Sequence, residues 1–423
     1  MKIKSIILLC ILALLRIDTV HATPVPTLSI KEVLQITQKN SSSIRASRYH
    51  EVVAQRAINV AQSNYFPTFD FQAIDSQGFP GSSNLAGVNG LMNSPFRKGY
   101  GYGVVAKEVL LDFGRTPGAV NTSKIKAQLS RDDTLVTAYQ VKTFALETYY
   151  DCSFYRSQRD TWKNLKKESV YLMNQTNHFV NTGQVSIEDR YLTASQTQQA
   201  QTAIVFFNER MLQSLDELAI IMGIPKHSFN CPALPSQAKS PLAKGDLYQS
   251  PLMVDARTQI EVAKAQLKEE RANYMPQIIG VASLGDVEKA RLVQKQSYAV
   301  GIGLDLPLFN FTTIDKVRQD EAEVVFKEQD LAAQSIKVQE AETKFDIVGQ
   351  SARVQLQSLY QELSIANEGY AVSKKRYLSL QGTLVDLQEA YVNLARAQSD
   401  VNQAKRDILE ANGSKALLNG TMY

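Results

Sequence analysis

Asp386 and Glu389 stand three residues apart in a proline-free stretch, so on a helix they share one face. Such a pair repels itself and attracts cations. The plain alternative is that acids in a helix's first turn are stabilised by its dipole and otherwise solvated. Other chemistry is sparse. His50, His178 and His227 have no metal-ligand spacing to another His, Cys or acid cluster. No nucleophile motif occurs, so no catalytic residue, metal or cofactor is expected. Gly99, Gly101 and Gly103 lack the dinucleotide-binding spacing and read as alternating strand glycines. With 46 basic and 42 acidic side chains there is no concentrated basic face for nucleic acid.

The elements that would carry these acids are unusual. All 13 prolines fall at or before Pro307, and Ala119 through Thr182 holds neither Gly nor Pro. Helices average about three turns, so that gap predicts one very long helix. Beyond Pro307 a heptad runs through Val317, Val324, Leu331, Val338, Phe345, Ala352, Leu359 and Ala366. Another joins Leu387, Leu394, Val401 and Ile408, with Ala390, Ala397, Ala404 and Ala411 beside it. Sustained heptads predict left-handed supercoiling between neighbours, with wet surfaces outside the narrow stripes. At the start, Lys2 and Lys4 precede an apolar run, and Val20-His21-Ala22 is a small-x-Ala cleavage site. Residues 1–22 therefore read as a secretory signal peptide.

Strands lie inside a repeat. Asn64-Tyr65-Phe66-Pro67 recurs as Asn273-Tyr274-Met275-Pro276, and Leu110-Leu111-Asp112-Phe113 as Leu308-Phe309-Asn310-Phe311. Val180, Asp189 and Gly223 recur as Tyr377, Asp386 and Gly420. Copy one carries a longer Gly/Pro-rich loop between its strands, with Gly78, Pro80, Gly81, Gly87, Gly90 and Pro95. From Tyr298 to Leu306 the even positions are large and apolar while the odd ones are Ala, Gly, Gly and Asp, a strand with one greasy face. Tyr100–Lys107 is the matching strand. Each copy then has two strands. Four cannot close a membrane barrel, but three chains would supply twelve.

This order and duplication, with the Asn-Tyr-x-Pro junctions and the Leu-Asp-Phe-Gly junction at 111–114, resembles the TolC-like outer-membrane efflux protein family. The resemblance implies an α+β membrane protein. It would be a homotrimer with a twelve-stranded outer-membrane β-barrel continued by a long periplasmic α-helical barrel. The divisions expected are repeat 1 at 23–223 (helix 28–65, strands 66–75 and 100–111, long helix 114–180, helix 187–222) and a proline-rich equatorial linker at 224–247. Repeat 2 follows at 248–423 (helix 250–274, strands 276–285 and 297–309, long helix 313–378, helix 385–418). Implied partners are outer-membrane lipid, a periplasmic adaptor (membrane fusion protein) and an inner-membrane ABC or proton-driven pump.

On that resemblance the periplasmic entrance lies at the turns near 181–186 and 379–384, with Asp386 and Glu389 as constriction acids and Tyr377 as a gate-holding tyrosine. Asp189 is the copy-one equivalent of Asp386, while Leu192 replaces the second acid. Gly382 stands where relatives often carry a basic latch. Cys152 and Cys231 would both lie at equatorial height in an oxidising compartment, which predicts a disulfide between them, against two buried thiols. The function expected is the exit duct of a tripartite efflux or type I secretion system, opened by partner binding. The rivals are a coiled-coil adaptor or structural protein without a pore, and a helical enzyme.

Overall fold

The computed structural model describes residues 26–77, 98–236, 246–289 and 292–421. The signal peptide, the Gly/Pro-rich loop of copy one and Pro241 lie outside them. The chain begins with α1 (Ile30–Asn40) and α2 (Ser42–Ser63), followed by β1 (Thr68–Gln77) and β2 (Lys98–Leu111). Then come α3 (Arg115–Asn181) and α4 (Ile187–Met222). The second half has α5 (Pro251–Arg271), β3 (Gln277–Lys289), β4 (Leu292–Asp305), α6 (Phe311–Leu378) and α7 (Leu384–Leu418).

The single helix expected over 28–65 is two. Ser41 leaves helical backbone at φ −53°, ψ 128°. It sits in the run Asn40-Ser41-Ser42-Ser43, whose side chains compete for backbone partners and favour caps over helix interiors. The break makes room: the Asn40 carbonyl lies 3.1 Å from where a Cβ on Gly223 would be. The strand expected over 297–309 stops at Asp305, because Pro307 offers no N–H to a ladder. α5 tightens into a 3₁₀ turn at Ala272–Tyr274 before β3.

The four strands form one antiparallel meander in the order β1-β2-β3-β4. Gly103 faces Gly285 in register, and a Cβ at Gly103 would meet the Leu284 carbonyl at 2.7 Å. That close backbone approach explains the glycine. One face exposes Phe69, Phe71, Val104, Tyr298, Val300, Ile302 and Leu304, the last four at 70% or more. Among the described residues, β1 and β4 have no partner strand at their outer edges.

The long helices α3 and α6 have 67 and 68 residues, about 100 Å each at 1.5 Å per residue. Their starts explain the duplicated junction. Asp112 accepts from the backbone N–H of Gly114 (3.2 Å) and Thr116 (2.6 Å), and Asn310 accepts from Thr313 (3.2 Å). Asn310 is thus the N-cap of α6, while Asp112 stands two residues before Gly114, the N-cap of α3, and takes up N–H groups of that helix's start from there. Arg115 donates to the carbonyls of Ala272, Asn273 and Met275, pinning the first long helix to the second half's Asn-Tyr-x-Pro turn. All eight residues of the first heptad are buried or half-buried, and Leu387, Leu394, Val401 and Ile408 are buried. One apolar cluster joins α1, α3, α4 and the linker through Leu34, Leu146, Tyr149, Leu218, Met222 and Phe229. Among the described residues, no helix is long and apolar enough to cross a membrane.

Candidate functional site

α3 turns into α4, and α6 into α7, through backbones of the same form. In the first turn Gln184 N–H bonds the Phe179 carbonyl at 2.8 Å and Gly183 N–H bonds Val180 at 3.0 Å. In the second, Gln381 bonds Arg376 at 2.8 Å and Leu380 bonds Tyr377 at 3.0 Å. This pairing of a long and a short loop bond demands a left-handed residue, which is Gly183 (φ +74°) in one turn and Leu380 (φ +62°) in the other.

The next helix starts differ. Thr383 and Asp386 form a capping box: Asp386 N–H donates to Thr383 Oγ1 (3.2 Å) and Thr383 N–H to Asp386 Oδ2 (3.4 Å). The equivalent acid, Asp189, does not cap. Its carboxylate faces the Tyr377 hydroxyl at 3.4 Å. The Tyr377 hydroxyl also meets Thr176 Oγ1 at 2.9 Å. Tyr377 is 1% exposed and packs edge-on against Phe179. Around it Leu172, Leu384, Leu387 and Tyr391 make a small apolar core. Burial pushes the Asp189 carboxyl above its ordinary range, and the Tyr377 hydrogen bond only partly offsets it. Burial likewise raises the Tyr377 hydroxyl, against its bond to Thr176.

The acids expected as a pair therefore separate by role. Both are exposed, but Asp386 is engaged in its own helix's cap. Glu389 has no ion pair or hydrogen bond among the described residues and is the available carboxylate. Gly382 cannot carry a basic side chain easily, since its Cβ would come within 3.0 Å of Arg376 Cβ. Arg376 instead donates to the Gln381 carbonyl (3.3 Å) from the preceding helix. At the first turn Arg190 reaches Asn181 Oδ1 at 2.6 Å. Sequence reasoning missed Thr176 and Leu380. Thr383 was readable as the first residue of Thr-x-x-Asp.

Cys152 and Cys231 are disulfide-bonded with Cα atoms 6.2 Å apart, both buried. They lie roughly 40 Å along α3 from its turn, at 1.5 Å per residue. The bond straps the linker to α3, helped by Arg156 on the Cys231 carbonyl and by Leu234 N–H to Ser157 Oγ at 2.9 Å. His50 bonds Ser130 Oγ at 3.0 Å. Among the described residues, no group of three or more His, Cys, Asp or Glu is placed to hold a metal.

Residues 245–417 match the family model described as outer membrane efflux protein. The likeness to outer membrane efflux proteins is thereby shown. The fold extends that likeness across the first half too. The outer membrane protein VceC of Vibrio cholerae superposes with a TM-score of 0.78 at 13% identity, covering 93% of this chain and 96% of that one. The Campylobacter jejuni outer membrane channel CmeC gives 0.78 at 14%, over 93% and 86%. The open-state Neisseria gonorrhoeae outer membrane channel MtrE gives 0.73 at 15%, over 93% and 89%. A search of curated proteins found no match. At these identities the superpositions show the outer-membrane-channel fold, not its cargo.

Proposed function

We propose that this chain is one subunit of a homotrimeric outer-membrane exit duct in a tripartite efflux or type I secretion system. The observation that carries this is the four-stranded sheet. One face is apolar and exposed, and neither edge has a partner strand among the described residues. An open edge in hydrocarbon strands backbone polar groups at several kcal/mol each. Joining β4 of one chain to β1 of the next removes the edges, and three chains give a twelve-stranded closed barrel in the outer membrane. The two-copy sequence pattern supports a helical barrel below it, built twice per chain from a long and a short helix. The linker and α1 form a girdle, with the Cys152–Cys231 disulfide as its staple.

In this reading the periplasmic entrance is ringed by the six turns. Glu389 and Asp386 set a negative potential there that favours cations. Tyr377, held by Thr176 and Asp189, ties the second turn to the first and keeps it closed. A periplasmic adaptor and an inner-membrane ABC or proton-driven pump would release that tie, with the energy supplied by the pump. Conduction itself is passive.

Membrane fractionation and native mass spectrometry test the assembly. The expected result is a detergent-extracted trimer from the outer-membrane fraction. A soluble periplasmic monomer would contradict it.

A further inference from the structure

About halfway along the helical part, α3 of the first half and α7 of the second meet through one guanidinium. Arg406 Nε donates to Asp151 Oδ1 at 2.7 Å, and its Nη1 to Asp407 Oδ1 at 3.2 Å. Its Nη2 stands 2.9 Å from Glu410 Oε2. That oxygen is nonetheless buried without a hydrogen bond among the described residues. At Oε2, Glu410 therefore has a cation nearby but no hydrogen bond among the described residues. Gln403 satisfies Asp407 at 2.8 Å, leaving Glu410 the least supported of the three carboxylates.

The charges do not balance. Facing the cluster from α3 are Glu147 and Asp151, from α4 Glu217, and from α6 Lys344, while α7 itself supplies Arg406, Asp407 and Glu410. That is five carboxylates against two cations, on side chains partly withdrawn from water. A neighbouring joint shows the balanced alternative: Lys415 sits between Glu342 (3.2 Å) and Asp346 (2.8 Å), linking α7 to α6.

We propose that the Arg406 cluster is a proton-operated joint between α3 and α7, which takes up a proton on Glu410 and packs tightly, and loosens when that proton is lost. A neutral Glu410 carboxyl can donate to a neighbouring carboxylate, turning a repulsion into a hydrogen bond. The ionised form leaves Oε2 without a hydrogen bond among the described residues and adds a charge to an already negative site. Burial, followed by the charges of Asp151, Glu147 and Asp407, pushes Glu410 up to about 7 despite Arg406. Burial raises Asp151 and Glu147 as well. The folded joint thus binds a proton that the unfolded chain, at an ordinary 4.5, has released. Its stabilisation is full below 4.5 and is lost as pH rises towards 7. The joint depends on the fold alone and not on the duct reading. If α7 does frame an entrance, a looser joint would free the helix that carries Glu389.

Hydrogen exchange on the full-length purified protein, with and without Glu410→Gln, reads the joint locally. At pH 8 the variant should exchange more slowly than wild type in peptides spanning 403–418 and 143–155. At pH 5 the two should match. Equal exchange at pH 8, or faster exchange in the variant at both pH values, would overturn the proposal, since Glu410 would then be an ordinary stabilising ion-pair partner. Glu147→Gln gives a second check with Glu410 kept. Removing that repelling charge should move the wild-type loosening transition to lower pH, and an unmoved midpoint would count against the joint.

Discussion

At Gly183 the first turn passes through left-handed backbone at φ +74°, and at Leu380 the second does so at φ +62°. The loop hydrogen bonds match to within 0.1 Å. On this shared backbone the two turns place different side chains. Where the first has Val180, the second has Tyr377, buried against the first turn's own helices. Where the second uses Asp386 to cap its helix, the first uses Asp189 to meet Tyr377. A duplicated backbone has thus been specialised at two positions. The first turn became the receiver of a contact that the second makes. Equivalent residues in a repeat need not share a role, because a cap and a cross-helix contact compete for the same carboxylate.

Seven substitutions sharpen or break that comparison. The largest effect is expected from Tyr377→Ala, which empties a fully buried site at a cost of about 3–5 kcal/mol. Val180→Ala at the equivalent place should cost about 1 kcal/mol or less. Thermal unfolding of the two variants in detergent compares them, and equal losses would mean that Tyr377 is only a filler. Tyr377→Phe keeps the ring but removes the hydroxyl from Thr176 and Asp189, costing about 1–2 kcal/mol. Thr383→Ala removes the capping box for about 1 kcal/mol, and should cost more than Ser186→Ala, whose hydroxyl accepts from Glu188 N–H alone at 3.2 Å. The smallest effect is at the strained residue. Leu380→Gly should be neutral to stabilising by about 1 kcal/mol, while Gly183→Ala should cost about that much, because only glycine takes the left-handed form freely.

The tie between the turns also predicts a pH response. The folded-state carboxyl of Asp189 is raised, so the folded protein keeps its proton longer than the unfolded chain does. Its contribution is present below the ordinary 3.8 and fades as pH rises through the shifted value. Asp189→Asn should flatten the acid limb of the stability profile, measured by thermal unfolding between pH 3 and 7. An unchanged limb would remove Asp189 from the tie.

Much of this frame was legible in the residues. The even-numbered apolar run from Tyr298 marked the exposed face of β4. The span from Ala119 to Thr182 marked α3, and the two heptads fall on covered helix faces. These signals are local and periodic, so one chain suffices to read them. The break at Ser41 was harder, since its reason is tertiary: α4 ends at Gly223 against the Asn40 carbonyl. Leu380 in left-handed backbone runs against local preference and is tolerated because its turn is held at both ends. The Asp189–Tyr377 contact joins residues far apart in sequence, and the repeat alignment obscured it by pairing Asp189 with Asp386 instead. Arg115 gave no signal at all, since backbone carbonyls leave no mark in a sequence.

Planar-bilayer recording on the purified protein tests the central claim most directly. Wild type, its entrance tied closed, should conduct little but prefer cations, and Tyr377→Phe should conduct more with the same preference. Glu389→Gln should weaken that preference and relieve block by divalent cations, while Asp189→Asn should leave ion preference unchanged, because its carboxylate faces Tyr377. A channel that prefers anions, or a Glu389→Gln channel with the same ion preference as its parent, would contradict it.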